Sequence, residues 1–120
     1  MRVLVDTNLF LDVLLERPKL VEESERALNL FDSNSGIRGW ISWHTLSNLF
    51  YVGARFVGQA KALAEIDTLL QTFQVATVGT KEALEARRLA MKDFEDALQA
   101  VSARAAKADF ILTRNTRDFR

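Results

Sequence analysis

Apolar and polar positions along this chain switch between two periods, and the switches mark its elements. Residues 2–6, Arg-Val-Leu-Val-Asp, form a β-branched, apolar run that ends in an acid and reads as a buried strand. Over residues 9–16, Phe10, Val13 and Leu14 fall at helical spacing, and Pro18 ends that helix. Residues 22–32 predict a second helix with Ala27, Leu28 and Phe31 on one face, followed by a turn at Ser33-Asn34-Ser35-Gly36. Residues 37–42 read as a second strand, after which Ser42 or Thr45 caps a helix carrying Leu46, Leu49, Phe50 and Val52. Gly58 separates it from residues 59–73, where Leu63, Ile66, Leu69 and Leu70 repeat at helical spacing. Residues 74–78 predict a third strand and 81–92 a helix. Asp93 then caps an alanine-rich helix running to about Lys107, and residues 109–113 form the fourth strand.

Strands alternating with helices imply an α/β fold, a parallel sheet covered by helices on both faces. In such open sheets ligands bind at the carboxyl ends of the strands. The chemistry is therefore to be sought there.

Composition narrows the setting. The 120 residues make one domain, 1–120, and 48% hydrophobic content supports a small core. With one proline, five glycines and neither a repeat nor a linker-like stretch, nothing suggests disorder. No apolar run reaches the roughly 20 residues that span a bilayer, and Asp6 interrupts the N-terminus too early for a signal-peptide core. The absence of cysteine excludes disulfides and Cys-based zinc sites and makes the cytoplasm the default compartment. The single histidine, His44, excludes a His-rich metal site and reads as a packing or capping residue. Sixteen basic residues balance sixteen acidic ones, which argues against a protein that coats nucleic acid through bulk charge. An enzyme that holds RNA through a few local cations stays compatible.

Acids from three separate segments then fall on the same edge. Asp6 ends the first strand, Asp93 and Asp96 share one face of the first turn of the last helix, and Asp118 lies beyond the fourth strand. Asn8, Asn48 and Asn115 follow the first, second and fourth strands. Each has a plainer reading. An aspartate after a strand is often a turn former or cap, acids in a first helical turn complement the helix dipole, and Asp118 alone reads as a solvated charge. Their convergence favours a site. Carboxylates gathered this closely repel one another unless a cation lies between them. Oxygen-only ligands select a hard ion, Mg²⁺ or Mn²⁺. Such an ion polarises a phosphoryl oxygen and activates water, so the natural reaction is phosphodiester hydrolysis.

The motifs themselves carry a resemblance. Val5-Asp6-Thr7-Asn8 with Leu11-Asp12 resembles the opening motif of PIN domains. Asp93-Phe94-Glu95-Asp96-Ala97-Leu98 resembles their third acidic motif, and Thr113-Arg114-Asn115-Thr116-Arg117-Asp118-Phe119 their fourth. Together these span nearly the whole chain. The resemblance implies a three-layer α/β/α fold with a central parallel sheet of four to five strands, and a metal-dependent ribonuclease like the toxins of VapBC-type toxin–antitoxin pairs. It implies that Asp6, Asp96 and Asp118 are catalytic and hold Mg²⁺ or Mn²⁺. Asp93 would be an additional or supporting acid. Thr7, Asn8, Asn48, Thr113 and Asn115 would orient carboxylates or the attacking water. Asp12 matches a recurrent acid of a subgroup and is expected to cap or to be solvated. Two features depart from the pattern. PIN domains usually carry a glutamate where this chain has Asn48, which lowers the charge at the site, and relatives usually add a short final strand beyond the equivalent of Arg120.

Arg104, Lys107, Arg114, Arg117 and Arg120 flank the fourth motif, with Arg114 and Arg117 the candidate RNA-phosphate contacts. Trp40 is expected in the core, while Trp43 is available for stacking. Segments 9–31 and 46–56 carry more large apolar side chains than a core of this size needs, which predicts a homodimer or a groove for a small antitoxin protein. Competing classes fit poorly. A haloacid-dehalogenase site needs a second aspartate where Asn8 stands. A receiver domain needs an acceptor aspartate where Val78-Gly79-Thr80 stands, and no glycine-rich phosphate loop is present. The alternative is a catalytically weak PIN-like RNA-binding or protein-interaction module.

Overall fold

The computed structural model describes residues 1–31, 35–89 and 91–113. In chain order the elements are β1 (Arg2–Val5), α1 (Thr7–Leu14), α2 (Val21–Leu28), a 3₁₀ turn (Asn29–Phe31) and β2 (Arg38–Ile41). They continue with α3 (Trp43–Val57), α4 (Gln59–Thr72), β3 (Phe73–Val75), α5 (Thr80–Arg88), α6 (Phe94–Ala105) and β4 (Phe110–Leu112). The four strands form one parallel sheet in the order β3-β2-β1-β4.

Strand alternation sorts side chains between two layers of helices. Val3, Val5 and Ile41 join Leu9, Phe10, Leu14, Leu49 and Leu69 in the larger core, against α1, α3 and α4. Leu4 and Trp40 point the other way, to Ala103 and Ala106 on and just after α6. Alanine there lets the helix approach the sheet closely. On the first face Gly39 makes room for its register partner on β3, since a Cβ built on it would collide with the ring of Phe73. The sheet is therefore flanked on both faces, as the alternation of elements predicts. No helix among the described residues is long and apolar enough to cross a membrane.

Boundaries moved where packing overrode local pattern. The α5 helix ends at Arg88 rather than at Lys92. Leu89 is extended at ψ 133°, and with Met91 it covers the Ala86–Ala97–Val101 contact between α5 and α6. The third strand ends at Val75 rather than at Val78 because β2 stops at Ile41, whose carbonyl accepts the last bond from Ala76. Ser42 holds the N-cap position of α3 without a capping side-chain bond; its hydroxyl is engaged elsewhere, as described below.

Strand order places the site. The chain proceeds from β1 to β2 and β3 on one side, and returns to add β4 on the other. The carboxyl ends of β1 and β4 thus form the switch point where a crevice opens. Asp6 follows β1 there, its amide donating to the Leu112 carbonyl at 3.0 Å, and Thr113 follows β4.

Candidate active site

Asp6 is only 4% exposed. Burial holds its carboxyl above the usual carboxylate range. The Thr113 hydroxyl, which donates to Oδ2 at 3.0 Å, opposes that shift, with smaller help from the backbone and side chain of Asn8 and the amide of Thr7. Ion pairs among the described residues include Asp12–Arg17, His44–Glu95 and Arg104–Glu85, and none of the described lysines or arginines pairs with Asp6. A desolvated carboxylate that has hydroxyl and amide donors but no cationic partner among the described residues favours a positive charge beside it.

The other side of Asp6 is governed by Gln99, which is fully buried on α6. Its Nε2 donates to Thr7 Oγ1 at 3.0 Å and more weakly to Asp6 Oδ1 at 3.4 Å, while Oε1 accepts the Ser42 hydroxyl at 2.8 Å. In this orientation the amide N–H groups face Asp6 and Thr7 and the carbonyl oxygen faces the Ser42 hydroxyl. Thr7 in turn bonds Thr45 Oγ1 at 2.8 Å. One amide therefore ties the ends of β1 and β2 to α6 and, through Thr7, to α3. No buried side-chain polar atom among the described residues is left without a partner.

His44 stands beside this network, its Nε2 at 3.4 Å from Gln99 Nε2 and 3.9 Å from Glu95 Oε1. Burial lowers the pKa of the ring. A neutral imidazole accepting from Gln99 is thus favoured over an imidazolium paired with Glu95. Glu95 itself accepts from Asn48 Nδ2 at 2.5 Å, joining α6 to α3. Its pKa is raised by partial burial, then by the negative charges of Asp93 and Asp6, against the Asn48 bond.

Of the residues singled out from the sequence, Asp6, Asn8, Thr113 and Thr7 meet at the β1–β4 rim, Thr7 reaching Asp6 through Gln99. Asp93 is the N-cap of α6, its carboxylate accepting from the amides of Glu95 and Asp96 at 2.8 and 3.4 Å. Asp96 follows it in the first turn, half-buried. Asn48 points to Glu95. Arg114, Asn115, Arg117 and Asp118 lie outside the described residues. Among those described, no three histidines or acids converge into a complete metal-ligand set. The donors present are nonetheless oxygen-rich, and with Asp6 lacking a cationic partner among the described residues they suit a hard divalent cation.

Asp12 departs from expectation. It is neither a cap nor solvated but fully buried, accepting from Ser24 Oγ at 2.7 Å and Arg17 Nη1 at 3.2 Å, which fastens α1 to α2. Gln99 and Glu95, which no sequence motif singles out, also bond into this rim. The available signal was spacing, since Gln99 lies one helical turn beyond Glu95 and Asp96.

Fold and site together define a parallel α/β protein with an acidic, oxygen-donor centre at the switch point of its sheet. The PIN domain family model matches residues 2–117, and the chain belongs to the PIN-domain family. Solved structures agree in fold. A VapBC2 complex from Rickettsia felis, bound to a DNA fragment from their promoter, contains a chain of TM-score 0.73 and 19% identity, with 98% of this chain and 90% of that one covered. VapC20 of Mycobacterium tuberculosis, a Sarcin-Ricin loop cleaving toxin, has TM-score 0.78 and 15% identity over 98% and 92%. A toxin–antitoxin complex from Klebsiella pneumoniae gives 0.71 and 23% over 98% and 89%. A comparison with curated proteins found no significant match.

Proposed function

We propose that this chain is a metal-dependent endoribonuclease and the toxin of a VapBC-type pair, acting on RNA in the cytoplasm. The observation that carries the reading is Asp6: a buried carboxylate at the switch-point rim, supplied with donors but with no cationic side chain among the described residues. Membership of the PIN-domain family and likeness in fold to VapC toxins support it.

Asp6 and Asp96 would hold Mg²⁺ or Mn²⁺, with Asp118 of the fourth motif completing the set and Asp93 adding charge from the cap of α6. When bound, the cation supplies Lewis-acid charge at the scissile phosphate and lowers the pKa of water there. The protein's own contribution is position. Thr113 anchors one Asp6 oxygen at 3.0 Å while Gln99 lies against the other at 3.4 Å, so the carboxylate would meet its ion already oriented. Asn8 sits close enough to assist, and Asn115 belongs to the same rim by its place in the fourth motif. Arg114 and Arg117 would contact RNA phosphates flanking the cut.

A protein partner is favoured by the surface of α3 and α4, where Trp43, Tyr51, Phe56, Leu63 and Leu70 are exposed. Of the two segments expected to carry surplus apolar residues, the first is largely taken up by the core through Leu9, Phe10, Leu11, Leu14 and Phe31. The second is divided: Leu46, Leu49 and Val52 pack into the core, while Tyr51 and Phe56 stay at the surface. An antitoxin or a second copy of this chain would cover it.

The test is cleavage of a labelled structured RNA in Mg²⁺ or Mn²⁺ by wild-type, Asp6→Asn and Asp96→Asn proteins purified identically. Metal-dependent cutting lost in both variants is expected. Equal behaviour of the three proteins would reject the nuclease and leave an RNA-binding or interaction module.

A further inference from the structure

We propose that Glu95 is a further carboxylate of this site, facing the cation beside Asp6 and held in place by Asn48. The inference rests on the metal-dependent nuclease reading and adds to it a residue that the motif comparison does not assign.

A glutamate in the first turn of a helix ordinarily complements the dipole and swings freely in water, since fixing such a side chain costs rotamer entropy. Glu95 does not swing freely. Its Oε1 accepts from Asn48 Nδ2 at 2.5 Å, a bond between α6 and α3 that spans 47 positions of sequence. The same oxygen lies 3.9 Å from His44 Nε2. From His44 the contacts continue through Gln99 Nε2, at 3.4 Å, to Asp6 Oδ1, at a further 3.4 Å. Two helices thus converge on one carboxylate at the edge of the Asp6 crevice.

The partner chosen matters. An arginine or lysine at position 48 would orient Glu95 and also neutralise it. The amide of Asn48 orients it by a charge-assisted bond and leaves its negative charge intact. The adjacent Asp93 is turned to the amides of its own helix, at 2.8 and 3.4 Å. Asn48 and Glu95 therefore work as a unit: α3 supplies the clamp and α6 supplies the charge.

Isothermal titration of the full chain with Mn²⁺ alone tests this, on wild-type, Asp6→Asn, Glu95→Gln and Asn48→Leu proteins whose folding is checked by circular dichroism. Glu95→Gln should bind Mn²⁺ about tenfold or more weakly with an unchanged spectrum, and Asn48→Leu should weaken it by a smaller factor, about threefold. If Asp6→Asn abolishes binding while Glu95→Gln stays within about twofold of wild type, the inference on Glu95 falls and the nuclease reading stands. Unaltered binding by Asn48→Leu would overturn the clamp. Absence of Mn²⁺ binding in the wild-type protein would overturn the nuclease reading itself, and this inference with it.

Discussion

Replacing Gln99 with methionine isolates the buried amide that organises the rim. Methionine is unbranched and of similar length, so the fully buried site keeps its volume and the loss is one of hydrogen bonding. The Ser42 hydroxyl, itself 0% exposed, loses its acceptor at 2.8 Å, a penalty of about 1–3 kcal/mol for an orphaned buried donor. The 3.0 Å bond to Thr7 contributes about 1 kcal/mol more, softened because Thr7 keeps Thr45. The 3.4 Å contact to Asp6 is long and adds little in stability. The sum, about 2–4 kcal/mol, is a large share of the roughly 5–15 kcal/mol typical of a whole domain. Urea unfolding in EDTA should show the midpoint falling with an unchanged slope. Adding Ser42→Ala to Gln99→Met removes the orphaned hydroxyl and should cost far less than Ser42→Ala does alone, a coupling that a double-mutant cycle reads directly. A Gln99→Met protein within about 0.5 kcal/mol of wild type, or additive losses in the cycle, would refute the hub.

Asp6→Asn should remove metal-dependent cutting and yet stabilise the metal-free protein. Because burial raises the folded-state pKa of Asp6 above its ordinary 3.8, its contribution to stability is fully present below that value and is lost as pH rises through the folded pKa. Thermal melts in EDTA should therefore show the asparagine protein above wild type at pH 7, the gap closing toward pH 4; a lower melting temperature at pH 7 would contradict the desolvation argument. On the surface, Tyr51→Ser with Phe56→Ser should change folding stability by less than about 0.5 kcal/mol, because both rings are some 70% exposed. The same pair should abolish any self-association or antitoxin capture seen by light scattering, and unchanged assembly would move the interface elsewhere.

Much of this protein follows from local pattern. The β-branched run at residues 2–5 and the helical spacings after it dictate an alternating chain, and helical crossovers turn that alternation into a parallel sheet with helices on both faces. An acid directly after β1 must then stand at a carboxyl-end rim, which is why Asp6 could be named from sequence, and Asp93 at a helix start reads as the cap it is. Trp40, inside a strand, is buried, while Trp43, at the first position of α3, is 68% exposed.

Tertiary structure decided what depends on contacts between distant segments. Gln99 looks like one polar residue in an alanine-rich helix until the return of α6 brings it against Thr7 and Ser42, 92 and 57 positions away. Asp12 reads as a helix-surface acid until α2 closes over it with Ser24. Glu95 reads as a dipole charge until α3 presents Asn48. In each case the side chain's chemistry is local, but its partner is chosen by how helices dock on the sheet. Docking follows from the burial of whole faces, so no short stretch of sequence encodes it.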